Sequence, residues 1–278
     1  MDDKNDTGTR GTILLIHGLW MTAASWDGWA DRYRSRGYTV ITPNWPGMDR
    51  KVDELNADPS LIAGLTIEAV LDHYANIIND LDEPPIIMGH SFGGTFTQIL
   101  LDRGLGAAGV GIASGTVKGV RDLPLSTIKA TAPALNPLKK GEAVPLTAKE
   151  FHYAFANTLS RDDSDAVYHR YHVPAPTLVL REGAFANLHR HAATEVDFHR
   201  KRSPMLFIAF GEDHIIPPKA SRHNEEKYDD AASVTEFKLF PGRPHFPAAP
   251  GWEEVADYAL AWAVAHANQT VGDHHQHA

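Results

Sequence analysis

The chain has 278 residues, and its 43% hydrophobic and 22% charged residues are ordinary values for a globular protein. Its net charge of −9 argues against nucleic acid as a partner, because nucleic-acid binding needs clustered cations. The lack of cysteine excludes disulfides and thiol chemistry, and no apolar run reaches the ~18 residues of a membrane span. Residues 1–6 are polar rather than signal-like, so we expect a cytoplasmic protein without a membrane partner.

The first part of the chain alternates between strand and helix patterns. Residues 11–20 contain an apolar run that predicts a buried strand, which ends at His17. A helical pattern over residues 25–36 follows, and residues 38–44 predict a second strand. A longer helical pattern over residues 61–81 precedes the third strand. This alternation predicts an α/β fold with a parallel sheet.

The sequence Gly-His-Ser-Phe-Gly at residues 89–93 joins a short strand, residues 85–88, to a helical pattern that starts at Phe92. So tight a turn predicts a positive φ for Ser91, which is strained for a residue with a Cβ atom. The flanking glycines remove side chains that would strike the neighbouring strand and helix. The pattern is typical of a nucleophilic serine held at the edge of a sheet, with His90 in a structural role.

The alternation breaks after a fourth strand at residues 107–113. Prolines punctuate residues 116–201, and a capping-box pattern at residues 147–150 predicts the start of a helix there. We expect residues 116–201 to form a helical cap inserted between the fourth and fifth strands of the sheet. Such a cap would cover Ser91, exclude water and shape a pocket for the substrate.

Two polar residues late in the chain each follow a predicted strand. Asp213 comes shortly after the apolar run at residues 204–210, and His245 follows the run at residues 234–240. Loops at the carboxyl ends of parallel strands gather at one edge of a sheet. We therefore expect both side chains to lie near Ser91.

These residues suit acyl transfer. A serine hydroxyl is a poor nucleophile near neutral pH, so Ser91 needs a base, and His245 has a suitable ordinary pKa. Asp213 would fix the tautomer of that imidazole and stabilise its protonated form. The backbone N–H groups of Leu19 and Phe92 are the candidate donors to the oxyanion.

The order of these motifs resembles that of the α/β-hydrolase superfamily, in particular its small soluble esterase-like and haloperoxidase-like serine hydrolases. The matching segments are residues 17–18, 89–94, 211–217, 241–246 and 251–262. The resemblance implies a mostly parallel, doubly wound sheet of about six strands with an inserted helical cap. The core would comprise residues 1–115 and 202–278, and the cap residues 116–201.

Two details differ from many members of that superfamily. Only ten residues precede the first predicted strand, so we do not expect an N-terminal antiparallel hairpin. Asp213 lies two residues after Gly211 rather than three residues after a glycine, so Glu212 remains the alternative acid. Aromatic residues near the predicted site are the candidates for lining the substrate pocket: Trp20, Trp45, Phe151, Phe155 and Phe246.

The resemblance implies a hydrolase that cleaves a small ester or lactone through an acyl-enzyme, with an ester-like small molecule as its partner and no cofactor. The same triad also serves carbon–carbon bond hydrolases, perhydrolases and hydroxynitrile lyases. Some members act instead as small-molecule receptors or signalling proteins with slow turnover. The sequence leaves these alternatives open and indicates no particular oligomeric state.

Histidine is frequent, with 16 residues, and two groups of histidines suggest metal binding. The groups are His189, His191 and His199, and His274, His275 and His277. Neither has the four closely spaced ligands of a structural zinc site, so we expect no functional metal.

Overall fold

The computed structural model describes residues 10–228 and 233–274, with side chains described as far as residue 267. Over these residues the strands are β1 (Thr12–Ile16), β2 (Thr39–Ile41), β3 (Ile86–His90), β4 (Ala108–Ile112), β5 (Ala143–Val144), β6 (Ala175–Pro176), β7 (Met205–Phe210) and β8 (Thr235–Phe240). The α-helices are α1 (Asp27–Arg34), α2 (Val52–Ala57), α3 (Ile67–Asn79), α4 (Phe92–Asp102), α5 (Leu125–Leu135), α6 (Ala148–Phe155), α7 (Arg161–Tyr171), α8 (Thr177–Ala184), α9 (Pro218–Glu226) and α10 (Trp252–His274).

Six of these strands form one sheet in the order β2-β1-β3-β4-β7-β8, and every neighbouring pair is parallel. The two-residue strands β5 and β6 pair antiparallel apart from that sheet. The prediction of a mostly parallel α/β sheet of about six strands is confirmed. The strand order reverses between β1 and β3, and the crevice at such a switch point is where open α/β sheets bind ligands.

Both faces of the sheet are covered, as the apolar strands predict. Ile13 and Leu15 pack into a core that includes residues of α1 and α10. Leu14 and Ile16, which alternate with them along β1, pack into a second core that includes residues of α3, α4, α6 and α8. The sheet is therefore doubly wound, and the loops after its strands are held by packed elements on both sides.

The helix predicted over residues 61–81 is shorter than expected. A turn of 3₁₀-helix at Ser60–Ile62 precedes it, and α3 begins only at Ile67. The hydroxyl of Thr66 accepts a hydrogen bond from the N–H of Ala69, at 3.3 Å, and so caps the helix. The apolar periodicity of the sequence continues through this break and conceals it.

Residues 116–201 contain α5, α6, α7 and α8, together with the β5–β6 pair, which the sequence pattern did not predict. The capping box at Thr147 and Glu150 is present and starts α6 as predicted. The division into a core and an inserted cap stays a prediction. Among the residues described, no helix combines the length and apolar character needed to cross a membrane.

Candidate active site

Ser91 occupies the single position between β3 and α4 and has a φ of +57°. Its N–H donates to the carbonyl oxygen of Ile112 on β4, at 3.0 Å, which holds the turn against the sheet. A Cβ on Gly89 would lie 1.9 Å from the carbonyl oxygen of Gly93, and one on Gly93 would lie 2.1 Å from that of Ile16. Only glycine fits at these positions, so the predicted strained turn is present and its cause is steric.

The loop after β1 lies directly against this turn. A Cβ added to Gly18 would lie 2.7 Å from the Cβ of Ser91 and 3.3 Å from its Oγ. The next residues, Leu19 and Trp20, continue the loop, and Trp20 has a φ of +62°. Within the described part of the chain, the N–H groups of Leu19 and Phe92 donate to no other residue. Both amides therefore remain available as donors beside the serine.

Asp213 and His245 form a fully buried pair. The Nδ1 of His245 donates to the Oδ2 of Asp213 at 2.6 Å, and neither side chain is exposed to solvent. The other carboxylate oxygen, Oδ1, accepts the backbone N–H groups of Ile215 and Ile216, each at 2.8 Å. These three hydrogen bonds fix the carboxylate so that Oδ2 faces the imidazole. Glu212, the alternative acid, is exposed and makes no contact with His245 in the residues described.

His90, which precedes Ser91 in the chain, connects the serine turn to His245. The Nε2–H of His90 donates to the carbonyl oxygen of His245 at 2.8 Å, and the two ring centroids are 4.6 Å apart. The Nε2 of His245 is buried and has no hydrogen-bond partner among the residues described, and the hydroxyl of Ser91 makes no hydrogen bond to it. In free enzymes, catalytic hydrogen bonds are often long and tighten only when substrate binds.

Two other histidines beside the site, His17 and His90, have structural roles, and that of His90 was expected from the sequence. Burial lowers the pKa of His17 to about 4 and that of His90 well below its ordinary value, so both rings are neutral near pH 7. His17 donates from Nδ1 to the carbonyl oxygen of Gly18, and its Nε2 accepts the N–H of Trp45 at 3.2 Å. These bonds hold the loops after β1 and β2 together.

A cavity of about 380 Å³ opens beside Ser91. Its wall is mainly apolar, and many of its residues lie in the loop after β4, in α5, in α8 and after Asp213. The main apolar lining residues are Leu19, Val117, Val120, Leu123, Leu135, Leu180, Ile215 and Ile216. Of the five aromatic residues predicted to line the pocket, only Trp20 does so.

The other four predicted pocket residues, Trp45, Phe151, Phe155 and Phe246, are buried in the core, and their assignment to the pocket is corrected. Trp45 stacks on His17 with ring centroids 5.0 Å apart. Phe155 presents its edge to His245 at 5.0 Å and stacks on Phe151 at 4.9 Å. Trp45 and Phe155 therefore pack against the imidazole rings of His17 and His245 rather than line the cavity.

The sequence signal that could have located the pocket wall is the spacing within α5. Thr127, Thr131 and Leu135 line the cavity and recur at every fourth residue, so they share one helix face. On α8, Leu180 and Ala184 also line the cavity, and their spacing of four residues places them on one face of that helix. The spacing groups these residues but does not indicate which way each face points.

Helix α6 and the residues just after it form hydrogen bonds to the loops that carry Asp213 and His245. The N–H of Phe246 donates to the carbonyl oxygen of Phe155 at 2.9 Å. The Nδ1–H of His214 donates to the carbonyl oxygen of Tyr153 at 2.8 Å. The side-chain amide of Asn157 donates to the backbone carbonyl oxygen of Glu212 at 3.0 Å. The end of α6 therefore sets the positions of the loops beside Asp213 and His245.

In the described residues, no group of three or more histidine, cysteine or acidic side chains is placed to hold a metal ion. This covers His189, His191 and His199. The side chain of His274, together with His275 and His277, lies outside the described residues.

Most of this chain is similar to known hydrolases. The family model described as the alpha/beta hydrolase family matches residues 13–258. A monoacylglycerol lipase of Mycolicibacterium smegmatis is 24% identical, over 94% of this chain and 90% of that protein. The crystal structure of a monoacylglycerol lipase of Paleococcus ferrophilus gives a TM-score of 0.65 at 21% identity, covering 93% of this chain and 96% of its own. A pyrethroid hydrolase of Sphingobium faniae gives 0.65 at 17% identity, covering 93% and 99%.

Proposed function

The chain belongs to the α/β-hydrolase family, and on that premise we propose that it hydrolyses carboxylic esters with Ser91 as nucleophile, His245 as general base and Asp213 as the orienting acid. The family assignment agrees with the resemblance carried by the sequence motifs. The similarity to proteins named as monoacylglycerol lipases supports an ester as the substrate.

The observation that carries the proposal is the buried pair of Asp213 and His245 beside the strained turn of Ser91. A carboxylate whose oxygens are both engaged keeps the imidazole proton on Nδ1, which leaves Nε2 free to take a proton. That Nε2 atom is buried and unpartnered in the described chain, as a base awaiting the serine proton requires. Burial also strengthens the attraction between the acid and the protonated imidazole.

The reaction proceeds in two halves. Ser91 attacks the ester carbonyl carbon while His245 takes the hydroxyl proton, and the tetrahedral intermediate loses its alcohol, which His245 protonates. Water then attacks the acyl-enzyme with the same base, which releases the carboxylic acid and the free serine. No cofactor takes part in these steps.

The developing oxyanion needs donors fixed before the reaction. The N–H groups of Leu19 and Phe92 flank Ser91 on two loops and donate to no other described residue. Phe92 is also the first residue of α4, whose positive dipole end favours a nearby anion. In this proposal each donor stabilises the oxyanion by about 3 kcal/mol.

The cavity favours substrates with an aliphatic acyl or alcohol group. Its wall is mainly apolar, with leucine, isoleucine and valine the commonest apolar residues, and its volume is about 380 Å³. Transfer of each methylene group into such a site contributes about 0.8 kcal/mol. Esters and lactones with a medium-length alkyl chain are therefore the proposed substrate class.

The proposal is tested with p-nitrophenyl esters of graded acyl length, the purified protein and its Ser91→Ala variant. The wild-type protein should hydrolyse the esters and be labelled by a fluorophosphonate probe, and Ser91→Ala should lose both properties while keeping its melting temperature. Hydrolysis retained by Ser91→Ala would exclude Ser91 as the nucleophile. Labelling with negligible turnover, together with ligand-dependent binding of a protein partner, would instead favour the receptor function.

A further inference from the structure

Three uncharged polar side chains in the cavity wall are already engaged within the protein. The hydroxyl of Thr127 donates to the carbonyl oxygen of Ile215 at 2.6 Å, and that of Thr131 donates to the carbonyl oxygen of Thr127 at 2.8 Å. The side-chain amide of Asn187 donates to the carbonyl oxygen of Val120 at 2.7 Å. These groups therefore contribute little to recognition of a substrate.

Thr95 differs from these three residues. It lines the cavity, its side chain is fully buried, and its Oγ1 has no hydrogen-bond partner in the described part of the chain. A buried hydroxyl without a partner costs about 1–3 kcal/mol. Buried polar groups of this kind are rare and call for an explanation in ligand, water or catalytic chemistry.

The helix itself offers Thr95 no acceptor. A threonine within a helix usually donates to the carbonyl oxygen four residues earlier, as Thr97 does to Gly93 at 2.9 Å. For Thr95 that acceptor is the carbonyl oxygen of Ser91, which already accepts the N–H groups of Gly94, Thr95 and Gly115 at 2.9, 3.3 and 2.9 Å. Both lone pairs of that oxygen are therefore occupied.

A glycine lies against the hydroxyl of Thr95. A Cβ on Gly115 would lie 2.6 Å from the Oγ1 of Thr95, so any larger residue would press on the hydroxyl. Gly115 itself lines the cavity beside Ser91. The hydroxyl is thus buried and unpartnered, and Gly115 packs against it.

We propose that the hydroxyl of Thr95 hydrogen-bonds a polar oxygen on the acyl group of the substrate, so that the site selects hydroxyacyl esters over plain alkyl esters. Thr95 lies in the first turn of α4, four residues after Ser91, and both residues line the cavity. An acyl chain bonded to Ser91 therefore begins close to the first turn of α4, and the oxygen proposed to bind Thr95 is one on the β-carbon of that chain. This inference rests on the proposed ester hydrolysis.

The selectivity follows from the free-energy cost of leaving the buried hydroxyl of Thr95 without a hydrogen-bond partner. A site built around a buried hydroxyl rejects an analogue that lacks the matching oxygen, because binding then leaves the hydroxyl without a partner and without water. The aliphatic remainder of the wall holds the rest of the chain. The expected preference for the hydroxyacyl ester is about tenfold or more in kcat/KM.

The experiment compares p-nitrophenyl butanoate with both enantiomers of p-nitrophenyl β-hydroxybutanoate. The wild-type protein should prefer one enantiomer of the hydroxy ester over the butanoate ester, Thr95→Val should bring the kcat/KM ratio close to one, and Thr95→Ser should retain it. A ratio near one in the wild-type protein, or one that Thr95→Val leaves intact, would overturn the inference.

Ser221→Ala is the matched control, because the Oγ of Ser221 is equally buried and unpartnered in the described residues but does not line the cavity. Its kcat/KM ratio should equal that of the wild-type protein, and a ratio that fell as far as in Thr95→Val would overturn the inference. The Ser91→Ala variant separates failure of this inference from failure of the proposed function. If Ser91→Ala still hydrolyses both esters, Ser91 is not the nucleophile, whatever the ratio of kcat/KM values for the two esters.

Discussion

Asp213 and His245 meet at 2.6 Å between Oδ2 and Nδ1, with both side chains fully buried and the second carboxylate oxygen held by two backbone N–H groups. The adjacent acid, Glu212, is exposed to solvent. Two neighbouring carboxylates on one loop are thus placed in opposite environments, and only one of them faces the imidazole.

Asp213→Asn should lower kcat for a p-nitrophenyl ester by about ten-thousandfold, because an amide at this position favours the wrong tautomer of His245. The measurement is steady-state kinetics at fixed pH on a short-chain ester. Glu212→Gln is the matched control and should leave kcat nearly unchanged, since its side chain makes no contact with the imidazole among the residues described. A large loss in Glu212→Gln with little loss in Asp213→Asn would reassign the acid.

The parallel sheet of about six strands, the serine turn and the placing of Asp213 and His245 in loops that follow strands could be predicted from the sequence, because each depends on local pattern. Apolar runs mark the buried strands, and a parallel sheet brings the loops after them to one edge. Gly89 and Gly93 are required because a Cβ at either position would strike a backbone carbonyl oxygen of a neighbouring element. Sequence patterns report such short-range constraints well.

The cavity wall could not be predicted in the same way, because it depends on how residues 116–201 dock. The side chain of Arg181 donates to the carbonyl oxygen of Leu135, at 2.9 Å, and the N–H of Ile67 donates to the carboxylate of Glu182, at 2.8 Å. These long-range bonds orient α8 between α5 and α3. Nothing in the local spacing distinguishes Leu180, which lines the cavity, from Phe155, which packs behind His245.

Gly18→Ala should lower kcat/KM by roughly a hundredfold, because the new methyl group would strike Ser91 and displace the loop that carries the Leu19 amide. The measurement is hydrolysis of a short-chain ester, with the melting temperature recorded alongside. Gly64→Ala is the matched control, since a Cβ there meets nothing within 4 Å. Full activity in Gly18→Ala would show that the loop after β1 does not contribute to the oxyanion site.

Ala184→Leu should shorten the longest acyl chain that the protein accepts, because Ala184 lines the cavity and three added carbon atoms would fill part of it. The kcat/KM for a decanoate ester should fall by about tenfold or more relative to that for an acetate ester. Ala57→Leu adds the same side chain at an exposed position of α2 and should not change this ratio. An unchanged chain-length profile in Ala184→Leu would place the acyl chain elsewhere.

The final prediction concerns pH and stability through His172, whose pKa burial lowers to about 4. Its Nε2 accepts the N–H of Leu146 at 3.0 Å, so the ring must be neutral in the folded protein. Because the folded pKa lies below the unfolded value, protonation favours unfolding. This contribution to stability is fully present above about pH 6.5 and is lost as the pH falls towards 4.

The loss should approach about 3 kcal/mol for this one group, since each pKa unit corresponds to about 1.4 kcal/mol. Urea unfolding at pH 7 and pH 4.5 measures it as a difference in the free energy of unfolding. His172→Gln keeps an acceptor for the N–H of Leu146 but cannot titrate, so its free energy of unfolding should fall less between the two pH values. Equal losses in the two proteins would mean that His172 does not couple to folding, and that other groups, such as His17, carry the acid sensitivity.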